Sequence, residues 1–460
     1  MNRTLVVGGG PAGHRLADRL RHHGVSGPVT ILGAEPYPAY HRPLLSYVLS
    51  GQADPEALRM PALPGIETHS GTAVTHIDRV RREVHTSESV HGYDVLVLAT
   101  GARADVPDIR GARGPGVTVL RTVADCARVT GGTVVVLGGG PLGVETAAAL
   151  AARGTATTLV CATPHPLYDR LGESASALLT DALRRAGVDV LAGRTVTARE
   201  PGRVLLDDGT RVPADTLALC TGAHPEVRLA RAAGLGVRTG IVVDDRLRTS
   251  DPRIHAIGDC AEHEGRAVAG IEAAWAQADS LARILTGQDA PAHHTTPAVF
   301  RLRTRIAEVA CVGAPAAFAD PALRRLTYAD HEGGRYARLA LRGERLVAAV
   351  LFGLPEAIAS VGELHRRGQA LPSDRLHLLL GGPPRPASTD LDPPEDAVIC
   401  LCNNVQRQTL AKAWRAGART VTALAAATRA TTGCGGCGSD VAELSAGWAR
   451  ETRHDGERTP

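Results

Sequence analysis

An α/β chain with two Rossmann-like lobes is predicted by three features of the sequence. The first is Leu5-Val6-Val7-Gly8-Gly9-Gly10-Pro11-Ala12-Gly13, where a short β-branched run feeds a Gly8-x-Gly10-x-x-Gly13 turn and then an amphipathic stretch through Leu20. The second is a near copy, Thr133 to Glu145, in which Gly138-x-Gly140-x-x-Gly143 follows another apolar run. The third is a cysteine quartet, Cys400-x-Cys402 and Cys434-x-x-Cys437, set behind a Pro-rich stretch near the end of the chain.

The opening pattern reads as strand, tight turn and helix, which is the cradle of a dinucleotide. Gly8 permits the turn, Gly10 lets the backbone approach a pyrophosphate, and Gly13 lets helix and strand pack closely. Pro11 and Ala12 complete the turn at the helix start, whose free N–H groups suit phosphate. A lone glycine-rich turn also closes ordinary βα units. Here, however, a second strand at Val29-Thr30-Ile31-Leu32 ends just before Glu35. That is about 20 residues past the turn, where a carboxylate can accept hydrogen bonds from a ribose.

At 460 residues the chain has room for about three domains. Hydrophobic residues at 44%, charged residues at 22% and a net charge of +3 are ordinary for a soluble protein and give no argument for nucleic acid or an acidic partner. No apolar run approaches the length needed to span a bilayer. The first strand begins near Arg3, which leaves no room for a signal peptide, so the expectation is a cytoplasmic protein with no membrane contact. Lys412 is the only lysine, which excludes a catalytic lysine elsewhere. Nine cysteines, five of them scattered before the quartet, do not resemble a disulfide framework.

Along the chain, Pro36 to Ser46 is a Pro-rich loop entering a helix, and Arg42 beside that helix start suits a flavin or pyrophosphate anion. Thr72 to Asp78, which includes Val74, reads as a strand, and Tyr93 to Leu98 as a buried strand ending at Ala99-Thr100-Gly101. The second cradle implies a second dinucleotide, as hydride transfer from a nicotinamide to a flavin requires. The strand that should carry its ribose carboxylate, Thr157 to Thr163, has no acid at its end. No arginine stands immediately there either, and its absence leans towards NADH. Leu219-Cys220-Thr221-Gly222 echoes the earlier Leu98 to Gly101. Ile254 to Ala261 then brings Asp259 to a strand end before a long helix from about Ile271 to Leu285. Asp259 would either cap that helix or contact a flavin ribityl chain, and the two cradles favour the flavin.

As an ordered set over about residues 1 to 290, these motifs resemble the two-dinucleotide-binding flavoprotein disulfide reductase superfamily. The resemblance implies an FAD domain interrupted by an NAD domain: residues 1–112 and 241–292 around FAD, and 113–240 around the nicotinamide nucleotide. By the same resemblance Gly8, Gly10, Pro11, Ala12, Gly13, Glu35, Arg42, Val74, Thr100, Gly101 and Asp259 hold FAD. Gly138, Gly140, Gly143 and Glu145 hold NAD(P)H, and no acid–base residue is obligatory. Two departures matter. Arg42 to Gly51 contains no cysteine, so a disulfide substrate is not expected. Tyr47 follows Ser46 where rubredoxin-reductase-like members often carry lysine.

Residues 293–382 contain short strands at Arg335 to Leu341 and Leu346 to Leu351 and an apolar helix near Glu356 to Arg366. They resemble the α+β interface domain of that superfamily, which often lies at a homodimer contact. His293-His294 reads as a Pro-flanked surface linker in preference to a metal site. Gly381 to Pro394 reads as an extended linker, assigned to residues 383–395.

Four thiolates from two short loops can close around a metal centre, and glycines on the second loop leave N–H groups free to bond sulfides. Structural Zn²⁺ sites also take four cysteines, but usually as paired C-x-x-C knuckles, so the pattern favours a [2Fe-2S] cluster. Residues 396–450 closely resemble the small helical bacterioferritin-associated-ferredoxin-type domain. Behind this flavoprotein, the tail makes the chain resemble the N-terminal half of assimilatory NAD(P)H nitrite reductase large subunits, which Tyr40 to Ser46 and Gly13-His14-Arg15 also suit. The chain ends at Pro460 without the cysteines of a sirohaem–[4Fe-4S] domain. The resemblance then implies the separate electron-transfer subunit of an assimilatory nitrate reductase. Electrons would pass from NAD(P)H through FAD and the cluster to a molybdopterin nitrate reductase. A flavin and [2Fe-2S] subunit of an opine or amino-acid oxidase, or a nucleotide-binding redox sensor without turnover, are the alternatives.

Overall fold

In a computed structural model of the chain, the described residues are 3–267, 269–288, 293, 299–380, 395–400, 403, 405–432 and 437–456. They fall into two compact units, residues 1–168 with 183–298, and residues 169–182 with 299–460.

The first unit holds two parallel five-stranded sheets. In one, the strand order is Ile254–Ala256, Val95–Leu98, Thr4–Val7, Val29–Gly33 and Glu67–Ser70. Strands from both flanks of the second cradle therefore share one sheet. The central strands are buried along their whole length, as parallel strands covered on both faces must be. Leu5, Leu16, Leu96 and Leu98 are at most 1% exposed, and each such burial contributes roughly 1.5–3 kcal/mol. Helix Pro11–His22 packs against helix Ile271–Leu285. A bidentate ion pair joins the two, with Arg15 Nε and Nη2 donating to Asp279 Oδ1 and Oδ2 at 2.7 and 2.8 Å.

The other sheet runs Val188–Ala192, Ala156–Cys161, Thr133–Leu137, Thr216–Leu219 and Val117–Val119, also parallel. Helix Pro141–Ala152 follows its central strand. An antiparallel pair, Ala102–Ala104 with Ala223–Pro225, bridges the two lobes just beyond the ends of their strands.

In the second unit, an antiparallel sheet runs Phe300–Arg301, Val309–Val312, Arg345–Phe352, Arg335–Arg342 and Arg324–Asp330. Ala357, Ile358 and Val361 of helix Pro355–Arg366 join its core. The tail has a core of its own. The hairpin Val398–Cys400 with Val405–Gln406 leads into helices Arg407–Arg415, Val421–Thr428 and Gly438–Gly456. Trp414 and Trp448 meet there with ring centroids 5.8 Å apart.

The surface-linker reading does not hold for His293. Its side chain is buried, its backbone N–H donates to the Asp245 carbonyl at 2.9 Å, and its ring lies 5.3 Å from that of His263. Flanking prolines describe local chain direction only, whereas the loop at Asp245 that receives this residue is distant in sequence. His294 and the expected linker from Gly381 to Pro394 lie outside the described residues. Among the described residues no helix is long and apolar enough to cross a membrane.

A β-carbon on Gly143 would stand 1.8 Å from the Gly138 carbonyl oxygen, whereas one on Gly140 would meet nothing within 4 Å. Gly143→Ala is therefore expected to lose about 1–3 kcal/mol more stability than Gly140→Ala, the cost of overpacking. Thermal unfolding of the two variants checks this.

Candidate cofactor sites

The two glycine turns are built alike. Gly8 and Gly138 sit at φ 125° and 124°, a region closed to side chains, and added β-carbons would lie 2.0 Å from the Ala99 carbonyl oxygen and 2.3 Å from that of Cys220. Each turn is also pinned by matching bonds: Gly8 and Gly138 donate to Leu32 and Val160, while Ala99 and Cys220 donate to Val7 and Leu137, all at 2.8 Å. Gly13 repeats the contact of Gly143, its β-carbon position being 2.2 Å from the Gly8 carbonyl oxygen. Gly10 and Gly140 are the N-caps of helices Pro11–His22 and Pro141–Ala152. Both are extended, and neither helix end receives a side-chain cap. No side chain at either cap therefore competes for the first N–H groups, which suits a pyrophosphate.

Around the first turn, one line of polar contacts brings together residues far apart in sequence. Glu35 pairs with the Arg42 guanidinium and accepts from Tyr40 Oη at 2.6 Å. Arg42 also donates to the Arg121 carbonyl at 3.0 Å and lies 3.8 Å from where a Gly10 β-carbon would be. The Arg121 guanidinium in turn stands 3.6 Å from Asp259. Burial, with the Glu35 carboxylate beside it, raises the Tyr40 hydroxyl well above the ordinary tyrosine range, so it stays a donor. Asp259 lies in the short 3-10 turn Gly258–Cys260 and is not the N-cap of the long helix, which is Gly270; its Oδ1 accepts from the Gly270 N–H at 3.1 Å. Gly258 donates to the buried Gln277 Oε1 at 2.7 Å, and its β-carbon position is 3.0 Å from Ala12 Cβ, so the Asp259 turn meets the first helix end.

Thr100 and Gly101 join the lobes. Thr100 Oγ1 donates to the Glu226 carbonyl, and the Glu226 N–H to the Gly101 carbonyl, both at 2.8 Å. Val74 begins the strand Val74–Asp78, beyond a loop in which Gly71 and Thr72 donate to Glu35 and Gly33. Arg42 to Leu49 forms the 3-10 turn Arg42–Leu44 and the helix Leu45–Leu49. The five cysteines before the quartet are buried, and burial pushes every thiol up, those of Cys126, Cys220 and Cys311 to about 12. None of them is a reactive thiolate near neutral pH.

In the second lobe Glu145 is buried on the helix behind the turn. The strand end that lacks an acid is flanked by a segment the linear sequence places far away. Arg194 donates its backbone N–H to the Cys161 carbonyl at 3.0 Å, and Gly193 donates to Thr163 at 2.9 Å. The Arg194 side chain pairs with Asp208 at 2.7 Å. It is the backbone of Arg194 that reaches Cys161, while its guanidinium is engaged by Asp208.

In the tail, Cys400 and Cys437 are buried in one small core, at 0% and 5% exposure, and the Thr431 N–H donates to Cys437 Sγ at 3.3 Å. An N–H aimed at a cysteine sulfur is the bond an iron–sulfur ligand takes. Cys402 and Cys434 lie outside the described residues. Tyr40, Arg121, Gln277, Arg194 and Thr431 were not singled out from the sequence. Only Tyr40 had a signal there, two residues before Arg42 in the motif already quoted; Thr122-x-x-Asp125, a capping box next to Arg121, marks a helix start and no ligand.

Residues 2–278 match the pyridine nucleotide-disulphide oxidoreductase family. The chain belongs to this family. Residues 398–446 match the BFD-like [2Fe-2S] binding domain. Among curated relatives, the chain is 28% identical to a nitrite reductase [NAD(P)H] of Bacillus subtilis, over 96% of this chain and 57% of that protein. It is 27% identical to the assimilatory nitrate reductase electron transfer subunit of the same organism, over 96% of this chain and 59% of that one. The chain therefore spans a little over half the length of these relatives. Among solved structures, the covalent putidaredoxin reductase–putidaredoxin complex matches at a TM-score of 0.73 and 28% identity, over 82% of this chain and 95% of the other. This pyridine nucleotide-disulphide oxidoreductase is thus an NAD(P)H-dependent oxidoreductase with FAD, a nicotinamide nucleotide and a [2Fe-2S] cluster as its cofactors.

Protein purified without air should accordingly carry FAD and about two irons per chain with acid-labile sulfide, as a [2Fe-2S] centre requires. Metal analysis showing stoichiometric zinc in place of iron would overturn the assignment of the tail.

Proposed function

We propose that this chain takes reducing equivalents from NAD(P)H and delivers electrons to an acceptor protein, as the electron-transfer part of an assimilatory nitrate or nitrite reductase system. A molybdopterin nitrate reductase is the acceptor we favour. The observation that carries the proposal is the joining of the two modules in one chain. A two-cradle flavoprotein lies ahead of a BFD-like tail, in the order shared with a nitrite reductase and a nitrate reductase electron transfer subunit across 96% of the chain. The absence of cysteine between Arg42 and Gly51, and the burial of the other five thiols, argue against a disulfide substrate.

When bound, the flavin supplies a site that accepts two electrons as hydride and the cluster one that handles electrons singly. The protein's part is to bind and orient. Gly8, Gly10, Pro11, Ala12 and Gly13 would present backbone and helix N–H groups to the FAD pyrophosphate, with Arg42 as its cationic neighbour and Glu35 accepting from a ribose. Asp259 would accept from the ribityl chain, and Val74, Thr100 and Gly101 would line the adjoining walls. Gly138, Gly140 and Gly143 would receive the nicotinamide nucleotide, with Glu145 on the helix behind them. Cys400, Cys402, Cys434 and Cys437 would ligate the cluster. The sheet domain at 293–382 is the surface we assign to homodimer formation, on its resemblance to interface domains.

Arg42→Ala is expected to leave the fold intact and raise the FAD dissociation constant at least tenfold, since a charge-assisted contact contributes about 1.5–3 kcal/mol. Flavin fluorescence on dilution measures it.

Cys434→Ser should remove the cluster yet leave NAD(P)H-dependent reduction of a small dye that accepts directly from flavin. Reduction of a purified molybdopterin nitrate reductase should collapse in the same preparation. Gly140→Val should abolish both activities, because a β-carbon there meets nothing in the fold, yet the side chain stands where the nucleotide must approach the backbone. Full nitrate reductase reduction by Cys434→Ser would put the cluster off the electron path and sink the proposal.

A further inference from the structure

The two arms of the cysteine quartet are tied together by a side chain that no motif in the sequence marks. Asn403 follows Cys402 directly and is 8% exposed. Its amide nitrogen donates twice across the fold, to the Arg429 carbonyl at 2.5 Å and to Thr432 Oγ1 at 3.1 Å. Thr432 Oγ1 donates to the same Arg429 carbonyl at 2.8 Å, which closes a three-membered polar knot. The knot sits on a bend. Arg429 caps helix Val421–Thr428 in the left-handed region at φ 63°, and Thr431 lies there too at φ 67°. That bend turns the Thr431 N–H onto Cys437 Sγ.

The chemistry of the amide matters here. Cys400 ends a hairpin strand, whereas Cys437 follows two helices, and closing a four-thiolate site requires the two arms to be held at a fixed distance. One primary amide nitrogen offers both donors needed to reach a carbonyl and a hydroxyl on the opposite arm. Aspartate has the same shape but no donor, and it would bring a further negative charge next to four thiolates. Alanine would remove both bonds across the two arms and leave the Arg429 carbonyl to Thr432 alone, so the arms would lose their side-chain tie.

We propose that Asn403 is a positioning residue for the [2Fe-2S] cluster. It braces the Cys400–Cys402 arm against the Arg429–Thr432 bend and thereby sets the N–H to sulfur bond on Cys437. The inference rests on the assignment of the cluster to the four cysteines. Outer-sphere braces of this kind typically change metal retention by about 10–100-fold. Bonds to ligand sulfur also move the reduction potential, so the brace should be visible in both.

The test uses the full-length holoprotein, purified anaerobically, with variants Asn403→Ala, Asn403→Asp and Thr432→Val. Iron and sulfide content, the rate of cluster loss to an added iron chelator, the EPR spectrum of the reduced cluster and its midpoint potential are measured. Asn403→Ala is expected to lose its cluster at least about tenfold faster, in line with that range, and to show shifted g-values. Asn403→Asp keeps the side-chain shape but adds a negative charge beside the thiolates, so its loaded fraction should have a more negative potential. Thr432→Val should give a smaller effect, and the double variant with Asn403→Ala should be no worse than Asn403→Ala alone. Flavin content and NAD(P)H-dependent dye reduction should stay at the wild-type level throughout, which rules out general unfolding. Wild-type loss rate, spectrum and potential in both Asn403 variants would overturn the inference. If Cys434→Ser instead retained two irons, it is the ligand assignment that would have failed.

Discussion

The contact on which the first unit depends is the approach of a helix to the strand before it, closer than any side chain permits. At Gly13 and again at Gly143, the helix backbone lies so near the carbonyl of the turn glycine that a single methyl group would overlap it. This closeness is what brings the first N–H groups of each helix over the carboxyl ends of the strands. There the macrodipole and the unpaired donors act on the same anion. The parallel sheets, with central strands buried on both faces, supply the rigid floor against which that approach is held.

The two lobes are not independent platforms. The pairs at Thr100 with Glu226 and at Ala102–Ala104 with Ala223–Pro225 fasten the end of one central sheet to the end of the other. Small residues at Thr100-Gly101 and Thr221-Gly222 make the crossing narrow. Two bound nucleotides would consequently be presented by strand ends whose separation is set by hydrogen bonds in the backbone. The polar line from Glu35 through Arg42 and Arg121 to Asp259 also crosses between the lobes, since Arg121 follows strand Val117–Val119 of the second sheet while the other three belong to the first lobe.

What could be read from the linear sequence followed from locality. The glycine turns, the strands that feed them and the spacing from Gly13 to Glu35 are determined by a few adjacent residues each, and periodicity exposes them. The helix Ile271–Leu285 was legible for the same reason. Arg121, Gln277 and Arg194 were not, because what makes them notable is the neighbour they meet across the fold. Arg194 shows this most directly: no arginine stands next to Cys161 in the chain, while the loop after the adjacent strand Val188–Ala192 brings the Arg194 backbone onto the Cys161 carbonyl. His293 is the converse case, since a polar, Pro-flanked pair looks solvent-facing until the loop at Asp245 closes over it. Asn403 carries no signature either, as asparagine after a cysteine is common in turns and only its two partners distinguish it.

The composition leaves this protein with an unusual chemical handle. Arginine supplies every basic side chain but one, and the single ε-amino group, on Lys412, is exposed on helix Arg407–Arg415 of the tail. Guanidinium groups do not react with succinimidyl esters, so apart from the chain's α-amino group an amine-directed fluorophore or resin has one place to attach. Immobilisation through that position would hold every molecule by the same point on the cluster-bearing tail, a uniformity that most proteins require an engineered cysteine to achieve.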